Sequence, residues 1–293
     1  MNTGSLNTKA NPLIAQFNNY LARIEEALGR ELDLYSWSEF YAPLRYACEG
    51  GKRIRPLLLL LSMEAVHATN GSGSHVAEDV FMAGSAIELL HTESVIHDDI
   101  IDEERLRRGK PSFHVKYGYN SSVLTADFVL GIILNIGSKM NNSRVMSELS
   151  SAATKMSEGE MMEIRFAKHN DITEDEYIKV IEHKTASLFE ASTKIGAILG
   201  NGQEDQIHAL GNYGNLLGIA YQIHDDLLDW DNEDRLFNLL VKHNIRSVEF
   251  ISKMNNLYRS YSSKALNELR NVSESMYKRH LELLTDLSSI QFK

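Results

Sequence analysis

The sequence predicts an all-α protein, and three observations point to that class. Near the N-terminus, apolar side chains recur at spacings of three and four residues, the period of a helix with one buried face. No segment alternates strictly between apolar and polar residues over a length that would build a substantial sheet. Four prolines and 18 glycines in 293 residues are too few for the many turns of an all-β fold.

The predicted helices follow one another along the chain. The first is predicted to end at Gly29 and to carry one apolar face, formed by Leu13, Phe17, Tyr20, Leu21, Ile24 and Leu28. Thr173 and Glu176 form a predicted capping box for a helix that runs towards Leu199. Turn-forming residues predict breaks at 69–74, 141–143, 169–171 and 200–203. After Gly218 the chain contains neither glycine nor proline, which predicts helices joined by short polar turns.

Two apolar runs predict buried helices rather than membrane spans. The run Pro56–Leu61 is much shorter than the about 20 residues that cross a bilayer. The run Val123–Ile136 is interrupted by Asp127. The N-terminus lacks a basic region followed by an apolar core, so no signal peptide is predicted. We therefore expect a cytoplasmic protein without a transmembrane segment.

Composition narrows the class of protein further. An apolar content of 43% with 24% charged residues is typical of a globular chain. No low-complexity linker divides it, so we predict a single domain over residues 1–293 with a flexible tail at residues 1–11. Cys48 is the one cysteine, which excludes an internal disulfide. A formal net charge of −10 argues against a nucleic-acid-binding protein, but an anionic small molecule could bind where basic residues cluster.

One acidic motif occurs twice. The sequence IHDDIID at residues 96–102 returns as IHDDLLD at residues 223–229. On a helix, Asp98 and Asp102 lie one turn apart on one face, and the second motif repeats this geometry. Clustered carboxylates repel one another unless a cation compensates, and their oxygens suit Mg²⁺. The alternative is a solvated acidic face, but two motifs that each follow apolar helical sequence favour metal binding.

Basic residues cluster near these motifs although the chain as a whole is acidic. The segment GGKRIRP at residues 50–56 marks a junction between a loop and a helix, where backbone amides favour anions. Arg107 and Arg108 follow the first acidic motif, and arginine suits bidentate contacts with a diphosphate. A mixed surface charge cluster is the alternative. His91 lies two turns before Asp98 on the same predicted face, where it is either a site residue or a core histidine.

Five ordered motifs resemble those of the trans (all-E) polyprenyl diphosphate synthases, a family that includes the farnesyl and geranylgeranyl enzymes. They are GGKRIRP, ELLH at residues 88–91, HDDIID with LRRGKPSFH, Lys184-Thr185, and YQIHDD at residues 221–226. The resemblance covers about residues 40–230, and the two-residue gap within DDIID is similar to the archaeal and long-chain type. It implies an isoprenoid synthase helical bundle around a central cavity and, usually, a homodimer.

The resemblance also implies roles for individual residues. Mg²⁺ would be bound by Asp98, Asp102 and Asp225, which with Lys184 would be the catalytic residues. Isopentenyl diphosphate would be held by Lys52, Arg55, His91 and Arg108. The allylic diphosphate would be held by Arg107, Lys184, Thr185 and Gln222. Glu93 and Ser94 occupy family positions at which bulky aromatic residues stop chain growth, so we expect a product longer than farnesyl diphosphate, geranylgeranyl or somewhat beyond.

The implied activity is a prenyltransferase reaction between isopentenyl diphosphate and an allylic diphosphate. Two other functions remain open: a terpene cyclase on the same fold, which the GGKRIRP segment disfavours, and a weakly active or regulatory subunit of a heteromeric synthase. One departure from the family bears on the last of these. After the second motif the family carries a Gly-Lys-x-x-Gly-x-Asp loop, whereas residues 229–238 contain no glycine. Arg235 or Lys242 would have to substitute for the lysine of that loop.

Overall fold

Helices account for most of the chain, which confirms the predicted all-α class. The computed structural model describes residues 12–70, 78–169, 172–228, 240 and 248–286. Within these ranges the helices are α1 (Pro12–Asp33), α2 (Tyr41–Cys48), α3 (Ile54–Asn70), α4 (Glu78–Ile101), α5 (Phe113–Tyr117), α6 (Tyr119–Met140), α7 (Ser143–His169), α8 (Glu174–Ile181), α9 (Ser187–Leu199), α10 (Glu204–Leu228), α11 (Val248–Glu268) and α12 (Met276–Thr285). A short antiparallel hairpin, β1 (Leu106–Arg107) with β2 (Lys110–Pro111), follows α4.

The centre of the bundle is built on α3, which packs against α4 and α9. The run Pro56–Leu61 lies in this helix and is buried, as predicted. Burying each of these leucine side chains contributes about 1.5–3 kcal/mol to folding. Around this centre, α4 packs against α6, and α9 packs against α7 and α10. The ends of α4 and α10 that carry the acidic motifs are thereby fixed by the core.

The helix α6 has one buried and one exposed apolar side. Ala126, Val129 and Ile133 are buried on the side that packs against α4, whereas Val123 and Leu134 are at least half exposed. By length and composition alone α6 could cross a membrane, although 44% of the apolar window is buried inside the bundle. The prediction of a buried helix at 123–136 is thus confirmed on one side of α6 only, because the described residues leave the other side exposed.

Most predicted helix boundaries agree with the structure. Thr173 caps α8 as predicted: its Oγ1 accepts from Glu176 N at 3.3 Å, and its N–H donates to Glu176 Oε2 at 2.9 Å. The breaks at 141–143 and 200–203 are confirmed. The breaks at 69–74 and 169–171 fall partly outside the described residues, as does the predicted tail at residues 1–11.

The predicted end of the first helix at Gly29 is wrong. The helix α1 continues to Asp33, and Leu32 is buried in line with Leu28. A glycine inside a helix costs about 1 kcal/mol relative to alanine, which is less than the burial of the next apolar turn contributes. The apolar period, not the glycine, therefore decides where this helix ends.

A π-helical turn, Glu182–Ala186, joins α8 to α9 and carries Lys184 and Thr185. It is held between two helices that approach it closely. A Cβ on Gly159 of α7 would lie 2.5 Å from the backbone nitrogen of Lys184, and a Cβ on Gly218 of α10 would lie 2.6 Å from Ala186 Cα. Only glycine permits both approaches, so these two positions fix the turn within the bundle.

Candidate active site

A cavity of about 1010 Å³ lies between the helices that carry the two acidic motifs. Twelve of the predicted site residues line it: Arg55, His91, Glu93, Ser94, Asp98, Asp102, Arg107, Arg108, Lys184, Thr185, Gln222 and Asp225. Lys52 is exposed and is not among the lining residues. Its charge reaches His224, whose pKa is lowered by burial and, to a smaller extent, by Lys52. One cavity therefore gathers nearly all of the residues that the resemblance implied.

The glycine-rich loop before α3 is fixed by a buried ion pair. Arg53 donates to Glu88 Oε1 at 2.6 Å and to Glu25 Oε1 at 2.6 Å, and both side chains of the Arg53–Glu88 pair are 4% exposed. Gly51 has φ +121°, and a Cβ there would lie 3.0 Å from Arg53 Nη1. The loop therefore depends on glycine at this position, and Arg53 anchors it rather than binding a ligand.

Next to this loop, the cationic side chains of Arg55 and Arg108 line the cavity together with His91. Arg108 Nη1 donates to the carbonyl oxygen of Gly50 at 2.8 Å. Arg55 packs over the ring of Phe189 at 4.9 Å, and its buried Nε has no hydrogen-bond partner among the described residues. Burial, reinforced by the Arg55 charge, holds the pKa of His91 well below its usual range, so the imidazole is neutral. An anion placed here would satisfy the unpaired donor of Arg55.

On the facing wall, Lys184 lies among carboxylates. Its Nζ is 2.5 Å from Glu160 Oε2, 2.7 Å from Glu163 Oε2 and 3.7 Å from Asp98 Oδ1. Burial alone would lower the pKa of Lys184, but Glu163, Asp98 and Glu160 outweigh it and raise that pKa. Burial also raises the pKa of Asp98 and Asp102, and raises that of Glu160 to about 7. The cluster thus carries more negative charge than Lys184 compensates.

This donor set fits a hard divalent cation. Asp98 and Asp102 are linked by the i to i+4 backbone hydrogen bond at 2.8 Å, which places their carboxylates one helical turn apart beside the cavity. Within the described residues, no three metal-ligating side chains converge on one point. Carboxylates arranged in this way suit Mg²⁺, which keeps several waters and completes its coordination with substrate phosphates.

The second acidic motif is connected to the π turn by a chain of hydrogen bonds. Thr185 Oγ1 donates to Gln222 Oε1 at 2.9 Å, and Gln222 Nε2 donates to Asp226 Oδ1 at 2.9 Å. Tyr177 of α8 donates its hydroxyl to Asp226 Oδ2 at 2.6 Å. Asp225 and Asp226 both line the cavity, and Asp226 also takes part in this chain.

Glu93 and Ser94, which precede the acidic motif in α4, line the cavity. Glu93 pairs with His97 Nδ1 at 3.3 Å, and burial raises the pKa of Glu93. Ser94 Oγ donates to the backbone oxygen of His91 at 2.9 Å. Apolar side chains also line the cavity, among them Leu90, Leu130, Met156 and Leu188. His97 thus provides a partner for the carboxylate of Glu93.

Three residues that sequence reasoning missed belong to the site: Glu160, Glu163 and Tyr177. Residues 153, 154, 156, 157, 160, 161, 163 and 164 of α7 line the cavity, and their recurrence every three to four residues marks one helical face. That spacing was the available signal for the two glutamates. Tyr177 gave no such signal, because its partner Asp226 is distant in sequence. Asp229, Arg235 and Lys242 lie outside the described residues.

Known proteins share this architecture. The sequence matches the Polyprenyl synthetase family over residues 38–255. It is 37% identical over 223 residues to the geranylgeranyl diphosphate synthase of Methanosarcina mazei, covering 74% of this chain and 67% of the relative. It is 41% identical over 184 residues to the short chain isoprenyl diphosphate synthase of Methanothermobacter thermautotrophicus, covering 61% of this chain and 54% of the relative. The matched part thus spans about half to two thirds of these relatives.

The fold is similar over a larger part of the chain. The crystal structure of the geranylgeranyl pyrophosphate synthetase from Pyrococcus horikoshii Ot3 superimposes with a TM-score of 0.83 at 27% identity, covering 96% of this chain and 98% of the other. The family match extends over more than half of the sequence and includes the cavity, both acidic motifs and the glycine-rich loop. These agreements confirm the resemblance seen in the motifs, and the chain belongs to the polyprenyl synthetase family.

Proposed function

We propose that this protein is a prenyltransferase that joins isopentenyl diphosphate to an allylic diphosphate. The observation that supports the proposal is that two pairs of basic side chains line one cavity, Arg55 with Arg108 and Arg107 with Lys184. Lys52, Arg55, His91 and Arg108 would hold isopentenyl diphosphate. Arg107, Lys184, Thr185 and Gln222 would hold the allylic diphosphate. Two such sites are needed for a condensation, whereas a cyclase needs only one.

We assign Mg²⁺ to Asp98, Asp102 and Asp225, in keeping with the carboxylate donors at the cavity. When bound, Mg²⁺ would neutralise charge on the departing diphosphate. Lys184 Nζ would hold the same diphosphate and stabilise it as the allylic C–O bond ionises. Leu90, Met156 and Leu188 line the cavity with apolar groups, which would exclude water from the allylic cation.

The direct test is incubation of the purified protein with isopentenyl diphosphate, Mg²⁺ and dimethylallyl, geranyl or farnesyl diphosphate, followed by chromatography of the products. We expect products of geranylgeranyl length or somewhat longer. Asp98→Ala and Asp102→Ala should each lower turnover by about 10²-fold or more, since each removes a proposed metal ligand. Asp79→Ala, near the other end of α4, is the control. Absence of product with every primer would refute the activity, and near-normal rates in both variants at saturating Mg²⁺ would refute the metal assignment.

We also propose a cytoplasmic homodimer formed through α6. Val123 and Leu134 are 50% and 57% exposed, and their spacing places them on one side of the helix, with the exposed Asp127 between them. Exposed apolar side chains of this kind support a protein or membrane interface. Light scattering after gel filtration should give a dimer for the wild type and a monomer for Val123→Glu combined with Leu134→Glu. A wild-type monomer that floats with phospholipid vesicles would instead assign this surface to a membrane.

The second candidate is a subunit of a heteromeric synthase, which the sequence after α10 favours. Residues 229–238 lack the glycines and the lysine of the family loop and contain Asp231, Glu233 and Asp234. One missing charge-assisted contact to the leaving group would slow ionisation by about 10²–10³-fold. We expect slow but measurable activity from the isolated protein. Activity that is restored only by co-expression with a homologue carrying the complete loop would support the subunit role.

A further inference from the structure

The two aspartates that begin each acidic motif are equivalent in sequence but not in the structure. Adjacent residues on a helix point about 100° apart, so two neighbouring carboxylates have different surroundings. Asp98 lines the large cavity, whereas Asp99 lines an adjoining cavity of about 310 Å³ that shares Arg107 and Arg108 with the first. In the second motif, Asp226 is buried and accepts hydrogen bonds from protein groups at both oxygens.

Asp99 fixes the guanidinium group of Arg107. Its side chain is 3% exposed, and its Oδ1 accepts from Arg107 Nε at 2.8 Å and also from Nη2. The backbone N–H of Phe113, the first residue of α5, also bonds to this carboxylate. Asp99 therefore joins α4 to the hairpin and to α5, and it holds Arg107 at the boundary between the two cavities.

Asp226 fixes the side-chain amide of Gln222 in a comparable way. Its Oδ1 accepts from Gln222 Nε2 while Tyr177 donates to its Oδ2, so the carboxylate cannot rotate without losing a bond. The remaining amide oxygen of Gln222 accepts from Thr185 of the π turn. Asp226 thereby holds both Gln222 and Thr185 in one arrangement beside the cavity.

We infer that Asp99 and Asp226 are positioning residues for the allylic diphosphate. Each acts through a side chain that the proposed function assigns to that substrate, Arg107 or Gln222, and the inference rests on that assignment. In each motif the first aspartate lines the large cavity and its successor bonds to a substrate-binding side chain, although Asp226 lines that cavity as well. In both motifs, therefore, the second aspartate contacts a side chain that we assign to the allylic diphosphate.

The test compares Asp99→Asn and Asp226→Asn with Asp98→Asn and Asp225→Asn. Binding of geranyl diphosphate is measured by calorimetry with Mg²⁺ and without isopentenyl diphosphate, and the half-saturating Mg²⁺ concentration is measured in the condensation assay. Loss of a charge-assisted contact predicts about tenfold weaker geranyl diphosphate binding by Asp99→Asn and Asp226→Asn. Their Mg²⁺ dependence and their KM for isopentenyl diphosphate should stay within about twofold of the wild type. Asp98→Asn and Asp225→Asn should shift the Mg²⁺ dependence.

Double variants separate positioning from a general structural effect. Asp99→Asn combined with Arg107→Ala should bind geranyl diphosphate no more weakly than Arg107→Ala alone, since the aspartate acts only through the arginine. Asp226→Asn combined with Gln222→Ala should behave likewise. Tyr177→Phe removes the hydroxyl that bonds Asp226 and provides a milder probe if Asp226→Asn does not fold, as judged by circular dichroism and thermal unfolding.

Three outcomes would overturn the inference: a Mg²⁺ shift in Asp99→Asn or Asp226→Asn as large as in Asp98→Asn, unchanged geranyl diphosphate binding in both, or additive effects in the double variants. Failure of the proposed function is distinguishable, because it appears as a wild-type protein that binds geranyl diphosphate but forms no prenyl product. The binding measurements still decide the inference in that case. A wild type that does not bind geranyl diphosphate overturns both.

Discussion

At the scale of single residues, Arg55 and Lys184 differ in how their donor groups are paired. Arg55 Nε is buried without a hydrogen-bond partner among the described residues, whereas Lys184 is surrounded by Asp98, Glu160 and Glu163.

Arg55→Ala should mainly raise the KM for isopentenyl diphosphate, as should Arg108→Ala. Lys184→Ala should mainly raise the KM for the allylic substrate. Each lost contact should cost about 2–4 kcal/mol, and steady-state kinetics with each substrate varied in turn measures the effect. Equal effects of every variant on both substrates would contradict the division.

Cys48 predicts a change of stability at alkaline pH. Burial raises the pKa of its thiol to about 11 in the folded protein. The unfolded chain deprotonates near pH 8.5–9, so the contribution of this group to stability is present below that range and is lost as the pH rises towards 11. Relative to Cys48→Ala, the wild type should lose about 2 kcal/mol of unfolding free energy between pH 8 and 10.5. Denaturant titrations at both values measure the difference, and an unchanged difference would show that the thiol is not buried.

At the scale of the elements, the π turn between α8 and α9 depends on the close approach of α7. Gly159→Ala places a methyl group within 2.5 Å of the Lys184 backbone, so the turn must move. We expect a loss of about 1–3 kcal/mol in the free energy of unfolding together with weaker allylic binding. Gly29→Ala in α1 is the matched control, because its Cβ would meet Arg45 Nη1 only at 3.7 Å. The control should be neutral or stabilising by about 1 kcal/mol. Equal effects of the two substitutions would show that the turn does not depend on Gly159.

Sequence alone predicted those elements whose signals are local. The capping box at Thr173 and the breaks around Asn141 and Gly200 depend on residues within one turn of each other. The end of α1 was misplaced because its continuation to Asp33 depends on burial of Leu32 against the rest of the bundle. The π turn could not be predicted either, since it is fixed by Gly159 and Gly218 on two other helices.

The same distinction holds for the site. The carboxylates of Asp98 and Asp102 could be placed on one face from their spacing, and the structure places both at the cavity. The helix period predicts that Asp99 points away from Asp98, but no spacing within the motif predicts its bond to Arg107 on the hairpin. The hydrogen bond between Tyr177 and Asp226 likewise joins residues that are far apart in the chain.

At the scale of the whole molecule, the length of the cavity should set the length of the product. Glu93 lines it beside Leu130 of α6, and no aromatic side chain occupies position 93 or 94. Glu93→Phe should therefore shorten the product, since the ring would fill space beyond the acidic motif. Glu93→Gln, which keeps the volume and removes the charge, should leave the product length unchanged. Chromatography of the dephosphorylated products measures both, and an unchanged distribution in Glu93→Phe would place the end of the cavity elsewhere.

The ion pairs of Arg53 have a consequence for the entropy of ligand binding. Loops rich in glycine lose much conformational freedom when a ligand orders them. Here the loop before α3 is tied to Glu25 of α1 and Glu88 of α4, so opening it would leave buried charges unpaired. Its backbone is therefore ordered when the protein folds, before any diphosphate arrives. Binding an anion at this loop therefore costs little additional conformational entropy, because the loop has already lost that entropy during folding.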